Sequence, residues 1–339
     1  MSAIDRVKQA IEDIKQGKMV VMVDDEDREN EGDLVYAATF STPEKVNFMA
    51  TEAKGLICVA VSNEIAKRLE LSPMVTNNDS QHETAFTVSV DARVCTTGIS
   101  AHERDMTIRI LADSKSTPNE LVRPGHIFPL IAKKGGVLVR TGHTEGSVDL
   151  CKLAGLRESA VICEIMKENG EMARRDDLDI FCKKHNLNIV YISDIVEYRM
   201  QYESLVREIM QASATFFDTN VQKIDMVDHE GNHHIVYLFG EIQEESFVKF
   251  HHIMPDIELL SDQSKLTNML ESIEILKKNG GVLIFLDDEN SPKREVKEFG
   301  IGAQILKKLG IKKIIHLTNS KGREFIGLKG FGLDIAQEV

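Results

Sequence analysis

Cysteine is scarce and unevenly placed in this 339-residue chain: Cys58, Cys95, Cys151, Cys163 and Cys182, with no Cys-x-x-Cys pair and none from residue 183 onward. An odd count at irregular spacing argues against a disulfide framework. Long apolar runs are missing as well, and none approaches the ~20 residues of a membrane span. Basic residues are the minority: 41 Lys and Arg stand against 54 Asp and Glu, a net charge of −13. That balance disfavours a non-specific nucleic-acid surface. The opening Met1-Ser2-Ala3-Ile4-Asp5-Arg6-Val7-Lys8 lacks the basic-then-apolar order of a signal peptide, so a cytoplasmic location is expected. No internal repeat or low-complexity segment is present. What remains is 42% apolar and 28% charged, ordinary for a globular protein and long enough for two domains.

The most informative stretch is Asp24-Asp25-Glu26-Asp27-Arg28-Glu29-Asn30-Glu31-Gly32-Asp33, in which seven of ten residues are carboxylates. It follows Met19-Val20-Val21-Met22-Val23, short, β-branched and bounded by Gly17, which reads as a buried strand. Carboxylates gathered where a core strand ends raise one another's pKa unless a cation or Arg offsets them. Hard divalent cations choose such oxygen-rich sites; a solvated acidic turn is the other reading. Arg28 within the run and Gly32 near its end favour the first.

The pattern predicts a mixed α and β fold. Ile4, Val7, Ile11 and Ile14 lie on one face of an N-terminal helix. Further helices are expected at 43–54, 62–71 and 144–156, and strands at 56–61, 85–90, 136–140, 160–166 and 188–192. Residues 193–208 read as a helical connection. Beyond it the pattern gives strands near 221–228 and 234–240 joined by Asp228-His229-Glu230-Gly231-Asn232. A helix follows at 264–279, then a strand at 282–286, a helix at 300–309 and a strand at 311–317.

Three more segments carry residues a core would not choose. Cys95-Thr96-Thr97-Gly98-Ile99-Ser100-Ala101-His102-Glu103-Arg104 offers hydroxyls, a Gly and an Arg that suit a phosphate, though such loops are also common without one. Arg123-Pro124-Gly125-His126-Ile127-Phe128-Pro129-Leu130 sets His126 between a turn and an apolar stretch, as a structural or a functional residue. Arg140-Thr141-Gly142-His143-Thr144-Glu145-Gly146 places Arg140 and His143 at an expected strand end, with Thr144 able to cap the next helix. Glu164, amid Ala160-Val161-Ile162-Cys163-Glu164-Ile165-Met166, needs a partner: a metal or catalytic contact, or a salt bridge.

Together these segments resemble the 3,4-dihydroxy-2-butanone 4-phosphate synthases of riboflavin biosynthesis, over about residues 3–200. The acidic run, His126-Ile127-Phe128-Pro129-Leu130 and Gly135-Gly136-Val137-Leu138 through Glu145 carry the likeness. It implies conversion of ribulose 5-phosphate to 3,4-dihydroxy-2-butanone 4-phosphate plus formate with Mg2+ (Mn2+ as the alternative). It also implies Glu29 and His143 as metal ligands and His126 and Glu164 as the catalytic pair. Arg28, Asp33, Cys58, Thr97, Arg140, Thr141, Gly142 and Thr144 would be substrate contacts. The fold implied is an α+β domain over 1–200, a mixed sheet with flanking helices, whose pocket lies near a homodimer interface. Glu103 stands where the family more often has Asp.

Residues 209–339 resemble GTP cyclohydrolase II in part, an α/β domain, through Phe299-Gly300-Ile301-Gly302-Ala303-Gln304-Ile305-Leu306-Lys307-Lys308-Leu309-Gly310, His316-Leu317-Thr318-Asn319-Ser320 and Gly330-Phe331-Gly332-Leu333. That family binds Zn2+ through three cysteines, which this half lacks, and its catalytic Asp and Arg fall at Glu295 and Lys297. Lys does not reproduce the guanidinium fork, and the adjacent pairs His233-His234 and His251-His252 are poor substitutes for a zinc shell. The expectation is a synthase with an inactive second domain, no zinc, no nucleic-acid partner and no membrane association. A bifunctional enzyme that also opens GTP is the alternative, and a non-catalytic scaffold is a third.

Overall fold

The apolar run Val20–Val23 is buried on both faces, and the reason is visible in the layers around it. The computed structural model describes residues 1–26, 28–200, 203–287, 300–318, 328 and 331–339. The chain divides into two units, Met1–Gln201 and Tyr202–Val339.

The first unit runs α1 (Ala3–Lys15), β1 (Val20–Val23), β2 (Gly32–Ala37), α2 (Pro43–Phe48), β3 (Cys58–Val61), α3 (Asn63–Arg68), β4 (Val90–Ala92), α4 (Ala101–Ala112), β5 (Leu121–Ile131), α5 (His143–Leu153), β6 (Ser159–Glu164), α6 (Arg175–His185), β7 (Asn188–Tyr191) and α7 (Ile192–Met200). Its seven strands form one mixed sheet in the order β4-β5-β3-β6-β2-β1-β7. Val21, Val23, Leu34, Tyr36, Val59, Val61 and Val161 point into one core with Val46, Met49, Ile108, Leu111 and Leu178 from the helical side. The alternate residues Val20, Met22, Val35 and Ala60 are equally buried, because α1, α5 and α7 cover the opposite face. Strands covered on both faces lose the in–out alternation and read as continuous apolar runs. A Cβ on Gly146 would lie 2.7 Å from Met22 Sδ, so glycine is what lets α5 approach the sheet.

The second unit contains β8 (Val206–Phe216), β9 (Thr219–Asp228), β10 (His233–Phe239), β11 (Glu245–His252), α8 (Asp256–Ser261), α9 (Gln263–Asn279), β12 (Gly281–Leu286), α10 (Gly300–Lys308), β13 (Lys313–His316) and β14 (Asp334–Glu338). They form a sheet of order β14-β13-β11-β12-β10-β9-β8. Asp228 closes the β9–β10 hairpin by accepting from Glu230 N at 2.8 Å and Asn232 N at 2.9 Å. Glu295 and Lys297 lie outside the described residues, as do Phe299, Asn319, Ser320 and Gly330.

Several expectations are corrected. Residues 136–140 are no strand: Gly136–Leu138 forms a 3-10 turn, because Gly135 and Gly136 take φ of 99° and 63°. The run 85–90 makes only isolated bridges at Phe86 and Thr87 before β4 begins at Val90. Within the 193–208 connection, α7 is described to Met200, and from Val206 the chain is a strand that precedes the two expected ones. The 43–54 helix passes into a π-turn at Met49–Ala53.

Ile108 is fully buried between α4 and the sheet, so Ile108→Ala is expected to cost about 2–5 kcal/mol. Urea denaturation checks this; a loss below about 1 kcal/mol would mean α4 does not close the core.

Candidate active site

The acidic loop is built around Asp24, the first residue after β1. Its carboxylate accepts from Glu29 N at 3.1 Å, Glu31 N at 2.8 Å and the Arg28 guanidinium at 2.9 Å. Arg174, just ahead of α6, clasps the far side by donating to the carbonyls of Glu29 (2.7 Å) and Asn30 (2.6 Å). Asn30 sits at φ 54°, a left-handed conformation that Asn tolerates. The run is thus a folded loop with its first and last carboxylates, Asp24 and Asp33, only 3% exposed; Asp27 lies outside the described residues.

Sheet register then gathers the rest. Asp33, on β2, stands directly opposite Glu164, at the end of β6. Glu164 is held by the Leu56 N–H at 2.8 Å, and a Cβ on Gly55 would meet its Oε2 at 2.7 Å. His143 opens α5 and projects between the two acidic walls. Its Nδ1 lies 3.6 Å from Glu29 Oε2 and its Nε2 3.9 Å from Asp33 Oδ1. Arg28 Nη1 reaches Glu29 Oε2 at 3.0 Å. Ligand atoms of Asp24, Glu29 and His143 all fall within 4.8 Å of one another.

Burial dominates the electrostatics here. It pushes the Asp33 carboxyl up to about 8, with Glu164, Glu29 and Asp24 adding to the effect and His143 opposing it. For Glu29, burial works upward but the adjacent His143 and the Arg28 charge overcome it and hold the group at about 2. For His143, burial works downward, yet the neighbouring Asp33, Glu29 and Asp24 raise it to about 10. Cys58, on β3 next to β6, has its thiol pushed well up by burial and by the nearby Glu164 and Asp33 charges.

A cation fits this arrangement on a specific observation: Asp33 Oδ1 and His143 Nε2 are buried with no hydrogen-bond partner. Asp24 is the weakest ligand candidate of the trio, because N–H groups and a guanidinium already occupy its oxygens. Glu29 Oε2 faces Arg28 at 3.0 Å and His143 at 3.6 Å, and His143 Nε2 has no hydrogen-bond partner.

The segment 140–144 leads into the same place. Arg140 is 6% exposed, donates to Glu145 Oε2 at 2.6 Å and to the His82 carbonyl at 2.9 Å, and leaves a turn rather than a strand end. Gly142, not Thr144, is the N-cap of α5, and no side chain caps it. A Cβ there would lie 2.3 Å from Arg140 Nη1. Thr141 and Thr144 are buried beside it. An uncapped helix start offers N–H groups and the positive end of its dipole to an anion, beside an Arg140 guanidinium that is paired with Glu145.

His126 and Thr97 belong to a second cluster. Asp91 Oδ2 lies 2.8 Å from His126 Nδ1 and Asp91 Oδ1 accepts from His126 N at 2.9 Å. A Cβ on Gly98 would touch that carboxylate at 2.0 Å. Thr97 Oγ1 donates to Glu103 Oε2 at 3.2 Å, and Glu103 also holds Gly98 N and Ser100 Oγ. Cys58 pairs with both Phe128 and Ile162, so His126 and Glu164 each lie two residues toward the same sheet end with β3 between them. At ~4.8 Å per strand their backbones are about 10 Å apart. The structure therefore brings together Arg28, Glu29, Asp33, Cys58, His143 and Glu164, with 140–144 adjoining, and sets His126 and Thr97 apart.

Asp91 was missed in the sequence, although an Asp within Val88-Ser89-Val90-Asp91-Ala92 carries the same signal as Glu164. Arg174 carried none.

The family described as 3,4-dihydroxy-2-butanone 4-phosphate synthase matches residues 8–198. The chain belongs to that family. The family described as GTP cyclohydrolase II matches residues 190–339. A relative from Sulfurospirillum multivorans with the synthase name is 66% identical, covering 99% of this chain and 95% of that one. The crystal structure of RibBX, a two-domain synthase from A. baumannii, is 37% identical, covers 98% of both chains and gives a TM-score of 0.70. A synthase structure in complex with two magnesium ions is 41% identical, covers 58% of this chain and 97% of that one, with a TM-score of 0.56. Members of the synthase family are enzymes, and the α+β first unit and α/β second unit follow the two-domain match.

With His143 raised to about 10 and Asp33 to about 8, both hold a proton at pH 7. A divalent cation ligated there must displace protons, so its affinity is expected to rise by up to about tenfold per pH unit per proton between pH 7 and 9. Calorimetry with Mn2+ in two buffers of different ionisation heat reads the release directly. An affinity independent of pH, with no protons released, removes His143 from the ligand set.

Proposed function

We propose that the first unit converts D-ribulose 5-phosphate to 3,4-dihydroxy-2-butanone 4-phosphate and formate, with Mg2+, or Mn2+ in its place, held by Glu29 and His143. The observation that carries this reading is the convergence of Glu29, Asp33, His143 and Glu164 at one buried sheet end, with two polar atoms there left unpartnered. The cation would supply Lewis-acid stabilisation of negative charge on the sugar's carbonyl and hydroxyl oxygens.

The chain's own groups do the rest. The reaction needs proton removal beside a ketone, loss of a hydroxyl, a carbon shift and release of a one-carbon acid. Each step moves a proton, and groups of separated pKa around one small sugar suit that work. Asp33 at about 8 can hold or accept a proton near neutral pH. Glu164, fixed by the Leu56 N–H, stands beside it as a carboxylate facing the same space. Arg28 offsets Glu29 and Asp24 and keeps the loop charge-balanced. The start of α5 with Arg140, Thr141, Gly142 and Thr144 binds the phosphate, remote from the reacting carbons, so that binding energy orients them. Cys58 lines the wall as a protonated thiol.

His126 is read as transferring protons through Nε2, a reading supported by the Asp91 carboxylate engaging Nδ1. A homodimer accommodates its separation from Glu164. Val94, Ile99 and Met106, around the loop that carries Thr97, are 80%, 54% and 46% exposed, an apolar surface suited to a second copy. Thr97 and His126 then serve substrate and proton contacts across that interface.

The second unit is read as a cyclohydrolase fold without that activity. It has no cysteine, and His233 and His234 face opposite sides of β10, one exposed and one buried. No nucleic acid or membrane takes part in this reading; among the described residues no helix is long and apolar enough to cross a membrane. The location inferred is cytoplasmic.

Glu29→Gln keeps the side-chain volume and removes the charge, so formate release is expected to fall by roughly 1000-fold with the fold intact by circular dichroism. Survival of activity would reject the metal assignment. The paired assay of ribulose 5-phosphate with Mg2+ and GTP with Mg2+ or Zn2+ is expected to give formate from the first alone. Formate from GTP would establish a bifunctional enzyme. Deleting residues 209–339 is expected to leave synthase turnover measurable; a folded truncation with none would give the second unit a part in the site.

A further inference from the structure

The turn that precedes Arg140 is held by a buried ion pair that the proposed chemistry does not use. Asp149, six residues along α5 from His143, accepts from Val137 N at 2.8 Å and from Arg199 Nη1 at 2.7 Å. The same Arg199 nitrogen donates to the Gly135 carbonyl at 2.8 Å. Both side chains are almost fully enclosed, at 5% and 6% exposure. A Cβ on Gly136 would lie 2.2 Å from Asp149 Oδ1, so the carboxylate presses directly on the turn backbone. That turn then hands over to the site: Val139 N and Arg140 N both donate to the Gly136 carbonyl, at 2.9 and 3.1 Å.

Burying two charges costs several kcal/mol of desolvation, and a well-packed apolar pair often does as well for stability. A cavity of about 250 Å³ lies against Gly135, Gly136, Asp149 and Arg199, so the turn has room to shift when the pair is broken. Asp149 belongs to the rigid helix that carries His143, with about 9 Å of axial rise between them. Arg199 is the penultimate residue of α7, the last helix of the first unit. The ion pair therefore fixes the turn, and with it Arg140 to Gly142, against the helix that presents His143.

We propose that Asp149 and Arg199 are positioning residues for the synthase reaction, clamping the Gly135-Gly136 turn so that Arg140 and the start of α5 meet the substrate phosphate in register. This rests on the reading of the 140–144 segment as the phosphate contact.

Steady-state kinetics of the full chain with ribulose 5-phosphate tests it, using Arg199→Gln, Arg199→Lys, Asp149→Asn and the Asp149→Asn/Arg199→Gln double variant. The clamp predicts that Arg199→Gln raises KM at least about tenfold while the Mg2+ concentration for half-maximal rate stays within about twofold, since Glu29 and His143 are untouched. Arg199→Lys falls between it and the parent protein. The double variant is no worse than the poorer single variant, because both remove the same contact. A lowered melting temperature with KM unchanged assigns the pair to stability alone and overturns the proposal. Should Arg199→Gln fail to fold, the isosteric Asp149→Asn decides on the same KM criterion. A parent chain that releases no formate rejects the underlying site reading, whereas a parent that does so with KM unmoved in the variants rejects only the clamp.

Discussion

Like charge in a dry place is the constraint from which this site follows. Asp24, Glu29, Asp33 and Glu164 converge where β1 ends and β2 and β6 meet, with Asp24 and Asp33 almost wholly out of water. Isolated carboxylates do not stay ionised under those conditions. The molecule answers in three ways at once. Arg28 lies between two of them, His143 enters as a second positive group, and Asp33 holds a proton at neutral pH through its raised pKa. A cation is a fourth answer, taken up only where ligand atoms are free to receive it.

The scaffold around the cluster can be understood as the means of holding that repulsion in place. Backbone N–H groups of Glu29 and Glu31 anchor Asp24, Arg174 closes the loop from α6, and Leu56 anchors Glu164. Glycines stand where close approach is needed, at 55 against Glu164, at 146 against Met22 and at 142 against Arg140. Helices on both faces keep the sheet rigid, so the charges cannot separate by bending it.

Much of this was legible in advance. The order of acidic run after apolar run marked the sheet end, and the resemblance supplied Glu29, His143 and Glu164, which the fold brings to one place. Elements built on local periodicity, such as α1 and α9, came out where the pattern put them. Failures have physical causes. The stretch 136–140 is apolar enough for a strand, yet two successive left-handed glycines and the Asp149 carboxylate turn it. Thr144 looks like a cap, but Gly142 starts the helix because only a residue without a side chain fits beside Arg140. The separation of His126 from Glu164 follows from strand order, in which β3 lies between β5 and β6, and no one-dimensional pattern encodes that. Asp91 and Arg174 act through contacts distant in sequence and leave only a faint local trace.

The acidic environment also decides the fate of the thiol within it. Cys58 is buried beside Glu164 and Asp33, and burial first, with the Glu164 charge behind it, keeps its proton on. Oxidants and electrophiles attack the thiolate, not the thiol. A cysteine close to titratable groups would ordinarily be a weak point under peroxide. Here burial and the neighbouring carboxylate double as its protection, so a thiol lies beside the acidic cluster without becoming a redox liability.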